Sequence, residues 1–292
     1  MRKIKELVIE KSLLSSALIT IAVTIGIVLV LAIEAVQFFS EVSIVDFLTD
    51  TQWTPLFTDK HYGILPLLSG TLLTSFIAIS VALPIGLSIS IYLSEYAPKS
   101  FRKTVKPLLE LLAAVPTVVY GFFALIVVTP FLQQIIPGLS GFNSLSAGFV
   151  MGIMIIPYIS SISEDALHAV PNALREASFG MGATKLQTAF KVVVPAASSG
   201  IIVSIILAIS RAIGETMIVA VAAGQQPRLT LDPTVPVETI TAYIVQVSLG
   251  DVEHGSVEYR TIFAAGITLF VFTFLLNTIS YRIRKKYQEI YE

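Results

Sequence analysis

Apolar residues run almost unbroken through six stretches, 13–39, 67–93, 108–136, 145–162, 196–223 and 262–281, and charged residues return between them. At about 1.5 Å of rise per residue, some 20 such residues cross a hydrocarbon layer roughly 30 Å thick. The pattern therefore predicts about six transmembrane helices and an all-α integral membrane protein. The fourth stretch is the shortest and is interrupted by Pro157; Pro84, Pro116 and Pro130 also fall inside predicted spans, where each removes a backbone donor as a packing kink or a hinge. Gly121, Gly148 and Gly152 are expected to let neighbouring helices approach closely. The first stretch follows a basic segment, but it is longer than a signal-peptide core and predicts a retained helix.

The segments between the stretches divide by charge. Arg2, Lys3, Lys5 and Lys11 precede the first, Lys99, Arg102, Lys103 and Lys106 follow the second, Arg175, Lys185 and Lys191 separate the fourth from the fifth, and Arg282, Arg284, Lys285 and Lys286 follow the sixth. Six crossings place all four segments on one side. The alternate loops hold only Lys60, Arg228 and Arg260 against a larger set of acidic residues that includes Asp46, Asp50, Asp59, Asp232 and Asp251. Positive residues mark the inner side, so both termini are expected in the cytoplasm of a prokaryotic inner-membrane protein. Phe38, Phe39, Trp53 and Tyr62, near the first outer loop, fit an interfacial aromatic belt.

Composition agrees: 54% of residues are hydrophobic and 13% charged, with a mean hydropathy of +0.82, against about a quarter charged in soluble domains. No cysteine is present, which removes disulfides and thiolate metal sites. His61, His168 and His254 lie in three different loops, so no metal or proton-relay cluster is predicted. The phosphate-loop pattern G-x-x-x-x-G-K-[ST] is missing, so ATP chemistry by this chain is not expected.

Between the fourth and fifth stretches lies a polar, patterned segment, residues 164–195. Ala166, Leu167, Val170, Leu174 and Ala177 recur at helical spacing, Gly180 and Gly182 break the run, and Leu186, Phe190 and Val194 resume it before Pro195. A helix, a turn and a second helix are predicted. An amphipathic helix on the membrane surface would show much of the same pattern.

Arg211 and Glu215 stand near the middle of the fifth stretch, where a charge costs about 2.5–3.5 kcal/mol to insert. Four positions apart, they share one face of a continuous helix and can pair. Either they only neutralise each other and hold the helix to a neighbour, or they face a polar pathway.

Glu176-Ala177-Ser178, Gly182 and Val192-Val193-Val194-Pro195 resemble the EAA loop of ABC importer permeases, with Ser178 in place of the second alanine. The resemblance implies the type I ABC importer permease architecture, with Glu176, Ala177, Ser178, Gly182 and Pro195 in a coupling helix that docks on a cytoplasmic ATPase subunit. R-A-I-G-E-T-M, followed by V-A-x-x-A-G-Q, and the outer W-x-P segment extend the resemblance over nearly the whole chain to the PstC-type permease subunits of phosphate importers. What it implies is a translocation pathway for inorganic phosphate through Arg211 and Glu215. The implied partners are a PstA-type second permease, a PstB-type ATPase dimer holding ATP and Mg²⁺, and an external PstS-type phosphate-binding protein, with no cofactor on this chain and no nucleic acid. Alternatives are a permease for sulfate, molybdate or phosphonate, and an ion-coupled secondary transporter with Glu215 as its titrating group. The expected organisation is 1–66 as N-terminal tail, first helix and outer loop, 67–281 as a five-helix core containing the loop 164–195, and 282–292 as a tail.

Overall fold

The computed structural model describes residues 2–287 and contains helices, two isolated β-bridges and loops. Of the expected tail, residues 288–292 lie outside the described residues. The first helix, α1 (Arg2–Glu41), contains the whole first stretch. A short α2 (Ile44–Thr49), capped by the Ser43 side chain, starts the following loop. Next comes α3 (Leu65–Ile91), with Pro84 inside it and a π-helical turn, Tyr92–Tyr96, at its end.

The third stretch is not one straight helix. α4 (Lys99–Ala114) stops before Pro116, and the chain resumes as α5 (Thr117–Phe123), a π turn, and α6 (Thr129–Gln133), at 85° to α4. Pro116 provides the break, since a proline cannot donate to the preceding turn and its neighbour avoids helical backbone. The apolar run 108–136 thus includes the end of α4, and Thr117–Gln133 is about 25 Å long.

α7 (Ser144–His168) begins under an Asn143 cap and carries Pro157 within it. It extends beyond the fourth stretch, and the helical pattern expected to run on through Val170 and Leu174 is cut at residues 169–171, where α8 (Asn172–Gly180) begins. Then follow α9 (Lys185–Thr188), a π turn, and α10 (Val194–Ala196). α11 (Ser198–Ile213) leaves this unit at a 72° bend, and α12 (Met217–Ala222) continues after a break at residues 214–216. The fifth stretch is therefore broken where its charges lie. α13 (Ile240–Leu249), which at ten residues is too short to register as a span, fills what was expected to be loop. α14 (Val257–Tyr287) includes the last stretch and continues through most of the expected tail. Among the described residues four helices are long and apolar enough to cross a membrane, and up to six spans result if each bent pair counts as one.

α3 and α7 form the centre. Their backbones come close because a Cβ at Gly148 would stand 2.7 Å from Ile77 Cβ and one at Gly152 2.8 Å from the Ala78 carbonyl. Around them a small-residue core includes Ala78, Ala82, Ala147, Met151, Met154, Ala208 and Ala212. At one end Leu167, Val170, Val193 and Ala197 pack the 164–195 unit onto the bundle. At the other, the aromatics read as a belt are mostly interior: Phe38 is fully buried and Trp53 is 2% exposed, stacked edge-on to Tyr243 at 5.0 Å. Phe38 and Phe39, at the end of α1, pack edge-on against each other and Phe38 against Tyr62, so these rings belong to one buried apolar cluster.

α1 packs along α14, with Arg260 reaching Glu41 at 2.8 Å and Glu34 at 3.7 Å, but most of its circumference is exposed. In the loop between α2 and α3 Asp50 accepts from His61 at 2.8 Å, and this hydrogen bond raises the imidazole above its ordinary value. Lys60 pairs with Glu258 and ties the loop to α14.

Candidate functional site

The residues singled out in the sequence fall into two groups, on opposite ends of α11. Glu176 and Ala177 lie on exposed positions of α8, at the basic end of the bundle. Ser178 turns inward and shares a hydrogen bond of 2.9 Å with Thr188 of α9. Gly182 has φ +83°, a left-handed conformation that side chains resist, and it supplies the turn between α8 and α9. The new helix starts cleanly because Thr184 and Gln187 cap each other's backbone N–H groups. Pro195 lies in α10, near the end of the continuous helical run 185–196. Phe179, Met181, Leu186 and Phe190 are exposed around this unit, Met181 at 89%.

The unit is moored by a residue that no motif singled out. Arg175 donates to Glu95 Oε1 at 2.9 Å and to the Leu167 carbonyl at 2.8 Å, and also to the Val170 carbonyl. One guanidinium thereby joins α8 to the terminal turn of α3 and to the end of α7. Both partners of the ion pair are largely buried, with Arg175 14% and Glu95 6% exposed. The signal available was a lone carboxylate just beyond a span and a lone arginine in the loop. Nothing in their spacing pairs them across 80 residues.

At the far end of α11 the helix stops at Ile213, and Gly214 caps it. Arg211 Nη1 nevertheless lies 3.0 Å from Glu215 Oε2, so the predicted pair forms, but across a helix break and not along one continuous face. Glu215 is 2% exposed and Arg211 34%. The other carboxylate oxygen accepts from the backbone N–H groups of Met217 at 3.1 Å and Ile218 at 3.4 Å. Glu215 thus caps α12, where an anion is favoured by the unsatisfied N–H groups and the helix dipole. Its own carbonyl accepts from Thr241 at the start of α13.

This division of labour is chemically informative. Glu215 is held by α12 through Oε1, while its Oε2 makes an ion-pair contact with Arg211 and accepts no hydrogen bond among the described residues. Arg211 has five N–H donors, and beyond Glu215 the described residues offer it only a 3.9 Å contact to Met154 Sδ. Its remaining donors face open space, in the planar arrangement that suits an oxyanion.

Glu238, on the loop before α13, was passed over in the sequence. It is 2% exposed, its Oε1 has no hydrogen-bond partner, and a cavity of about 150 Å³ lies between it, Trp53 and Gln225. The loop is held against α3, since a Cβ at Gly70 would overlap the Glu238 carbonyl and Ile240 N donates to Thr71 Oγ1 at 3.0 Å. Among the described residues no group of three or more His, Asp or Glu is placed to hold a metal ion.

Comparison with known proteins fits this arrangement. Residues 82–288 match the family described as binding-protein-dependent transport system inner membrane component. A Bacillus subtilis protein described as "Probable ABC transporter permease protein YqgH" is 37% identical over 89% of this chain and 84% of its own length. The phosphate transport system permease protein PstC of Mesorhizobium japonicum is 36% identical over 80% and 76%, and that of Haemophilus influenzae 33% identical over 83% and 82%. Among solved structures, a chain of a bacterial alginate ABC transporter superposes with a TM-score of 0.59 at 19% identity, covering 87% of this chain and 88% of that one. A chain of the MetNI methionine ABC transporter gives 0.57 at 20%, covering 78% and 95%. With a broken, charged fifth span, a moored loop unit and a family match over most of its length, the chain belongs to the binding-protein-dependent transport system inner membrane component family.

Proposed function

We propose that this chain is one membrane subunit of an ATP-driven phosphate importer and that Arg211 offers its free donors to the passing anion. The supporting observation is the asymmetry of the Arg211–Glu215 pair, which leaves the cation accessible and the carboxylate buried. Relatives described as phosphate permeases supply the anion's identity. Glu215 draws on the same guanidinium, so it weakens the hold on the anion and favours release. Tight capture is left to an external binding protein, and a second permease subunit closes the pathway.

ATP and Mg²⁺ belong to a separate ATPase that docks against α8 and the exposed Phe179 and Met181. Thrust on α8 passes through α9 and α10 into α11. Ser198 and Arg211 are thirteen residues apart, about 20 Å along that helix, so a tilt at the bend displaces the guanidinium. The basic end, with both termini, faces the cytoplasm.

Two measurements test this proposal. Vesicles holding the chain with its second permease and ATPase, and supplied with binding protein, should accumulate radiolabelled phosphate only with ATP inside. Molybdate and sulfate should compete at least tenfold less well. Uptake of sulfate in preference to phosphate would reassign the substrate. Separately, a cysteine at Ala177 should crosslink to the ATPase in intact inner membranes. Crosslinks formed solely to reagents outside the cell would reject both the coupling role and the orientation.

A further inference from the structure

α4 is amphipathic and has a cavity on each flank. Its polar side opens onto a space of about 730 Å³ walled by Lys99, Arg102, Lys103, Lys106, Glu110 and His168. Arg102 and Lys106 are engaged there. Both contact Glu164, which is fully buried in α7, and Lys106 also contacts Asp165, while Arg102 meets His168 Nδ1 at 3.0 Å. These two cations balance Glu164 and Asp165. Lys99 and Lys103 are exposed and have no ion-pair partner among the described residues. Set against Glu110, they leave one positive charge facing the cavity.

On the other flank Phe101, Val105 and Leu109 meet Ile89, Tyr92 and Leu93 around an apolar groove of about 360 Å³. Phe101 precedes Arg102 and Val105 precedes Lys106, so the groove and the basic cavity are separated by one helix width, about 10 Å. α4 also stands at 85° to Thr117–Gln133. When that segment runs along the membrane normal, α4 lies in the surface plane, with its apolar side at acyl depth and its lysines at the level of the headgroups.

A ligand that satisfies both flanks must carry an anion and a hydrocarbon chain together. A free anion fills only the basic cavity, and a neutral lipid fills only the groove. We infer that α4 and its two cavities form a binding site for an anionic phospholipid, with the phosphodiester on Lys99 and Lys103 and an acyl chain along Phe101 and Val105. Basic pockets beside spanning helices recognise such headgroups through charge at short range. The inference rests on the membrane-spanning fold and is independent of which anion is transported.

The test uses the assembled complex in nanodiscs of phosphatidylcholine doped with phosphatidylglycerol, with bound lipid counted by mass spectrometry of the intact particle. The wild type should retain phosphatidylglycerol, and Lys99→Gln/Lys103→Gln should retain at least fivefold less at unchanged phosphatidylcholine. Both lysines are exposed, so folding is not at stake. Lys185→Gln/Lys191→Gln removes two cations from the same end of the bundle and should keep the lipid. Equal loss in both double variants would mean bulk charge attraction and overturn the site. Retention in Lys99→Gln/Lys103→Gln, or displacement of the lipid by millimolar inorganic phosphate, would overturn it too, the latter by assigning the cavity to a soluble anion.

Discussion

Arg211→Gln is expected to lower phosphate uptake more than a hundredfold while the complex assembles at normal abundance. A charge-assisted hydrogen bond is worth about 1.5–3 kcal/mol, and two from one guanidinium about 3–6, which at about 1.4 kcal/mol per decade exceeds two orders of magnitude. The single variant also strands Glu215, which is 2% exposed, so lost activity alone does not separate a broken pathway from a broken fold. Arg211→Gln/Glu215→Gln separates them. A glutamine at 215 still presents an oxygen to the N–H groups of Met217 and Ile218, so the cap of α12 survives and no charge is left unpaired. If the pair were purely structural, the double variant would transport normally. The anion role requires that it stay inactive, with melting behaviour close to wild type. Glu215→Gln alone leaves the guanidinium unopposed and should slow release, seen as phosphate bound to the complex in excess of wild type. Full uptake by the double variant at normal abundance would remove both residues from the pathway.

The six apolar stretches were legible because span length follows from hydrocarbon thickness, a constraint that acts on composition alone. Where those spans break was not. Pro116 sits in a run that is apolar on both sides and Gly214 directly precedes Glu215, and a proline or glycine inside a span is compatible with a mild kink. Only packing shows an 85° turn at the first and a helix end at the second. The Arg211–Glu215 pairing was read correctly from spacing, yet for a geometry that does not exist, because Glu215 has left the helix on which the spacing was measured. The helix-turn-helix unit 164–195 was visible as a motif, and its turn at Gly182 has the positive φ that a glycine there suggested. What moors it was invisible. A carboxylate at the end of a span reads as an exposed boundary residue, and the burial of Glu95 and Glu164 arises from chain segments tens of residues away. Trp53 misled for the same reason in reverse, since aromatic rings near a membrane boundary serve belts and interiors alike.

Arg175→Ala should be the most damaging single change in the coupling unit, in stability and in transport together. It removes one partner of an ion pair in which Glu95 is 6% exposed, a loss of about 3–5 kcal/mol, and it frees the Leu167 and Val170 carbonyls that the guanidinium holds. The thermal transition of the complex in nanodiscs should fall by several degrees. Glu95→Gln/Arg175→Met distinguishes mooring from mere charge balance, because methionine fills much of the arginine stem's volume and neither side chain is then a buried charge. Stability should recover largely in this variant. Transport should not, since among the described residues only apolar packing would then tie α8 to both α3 and α7, and ATPase-driven movement of α8 would reach α11 without moving the rest of the bundle. The readout is the ratio of phosphate imported to ATP hydrolysed, which should drop at least tenfold in the double variant while hydrolysis continues. A double variant with both wild-type stability and a wild-type ratio would reduce Arg175 to a neutralising charge and leave the coupling unit held by its apolar contacts alone.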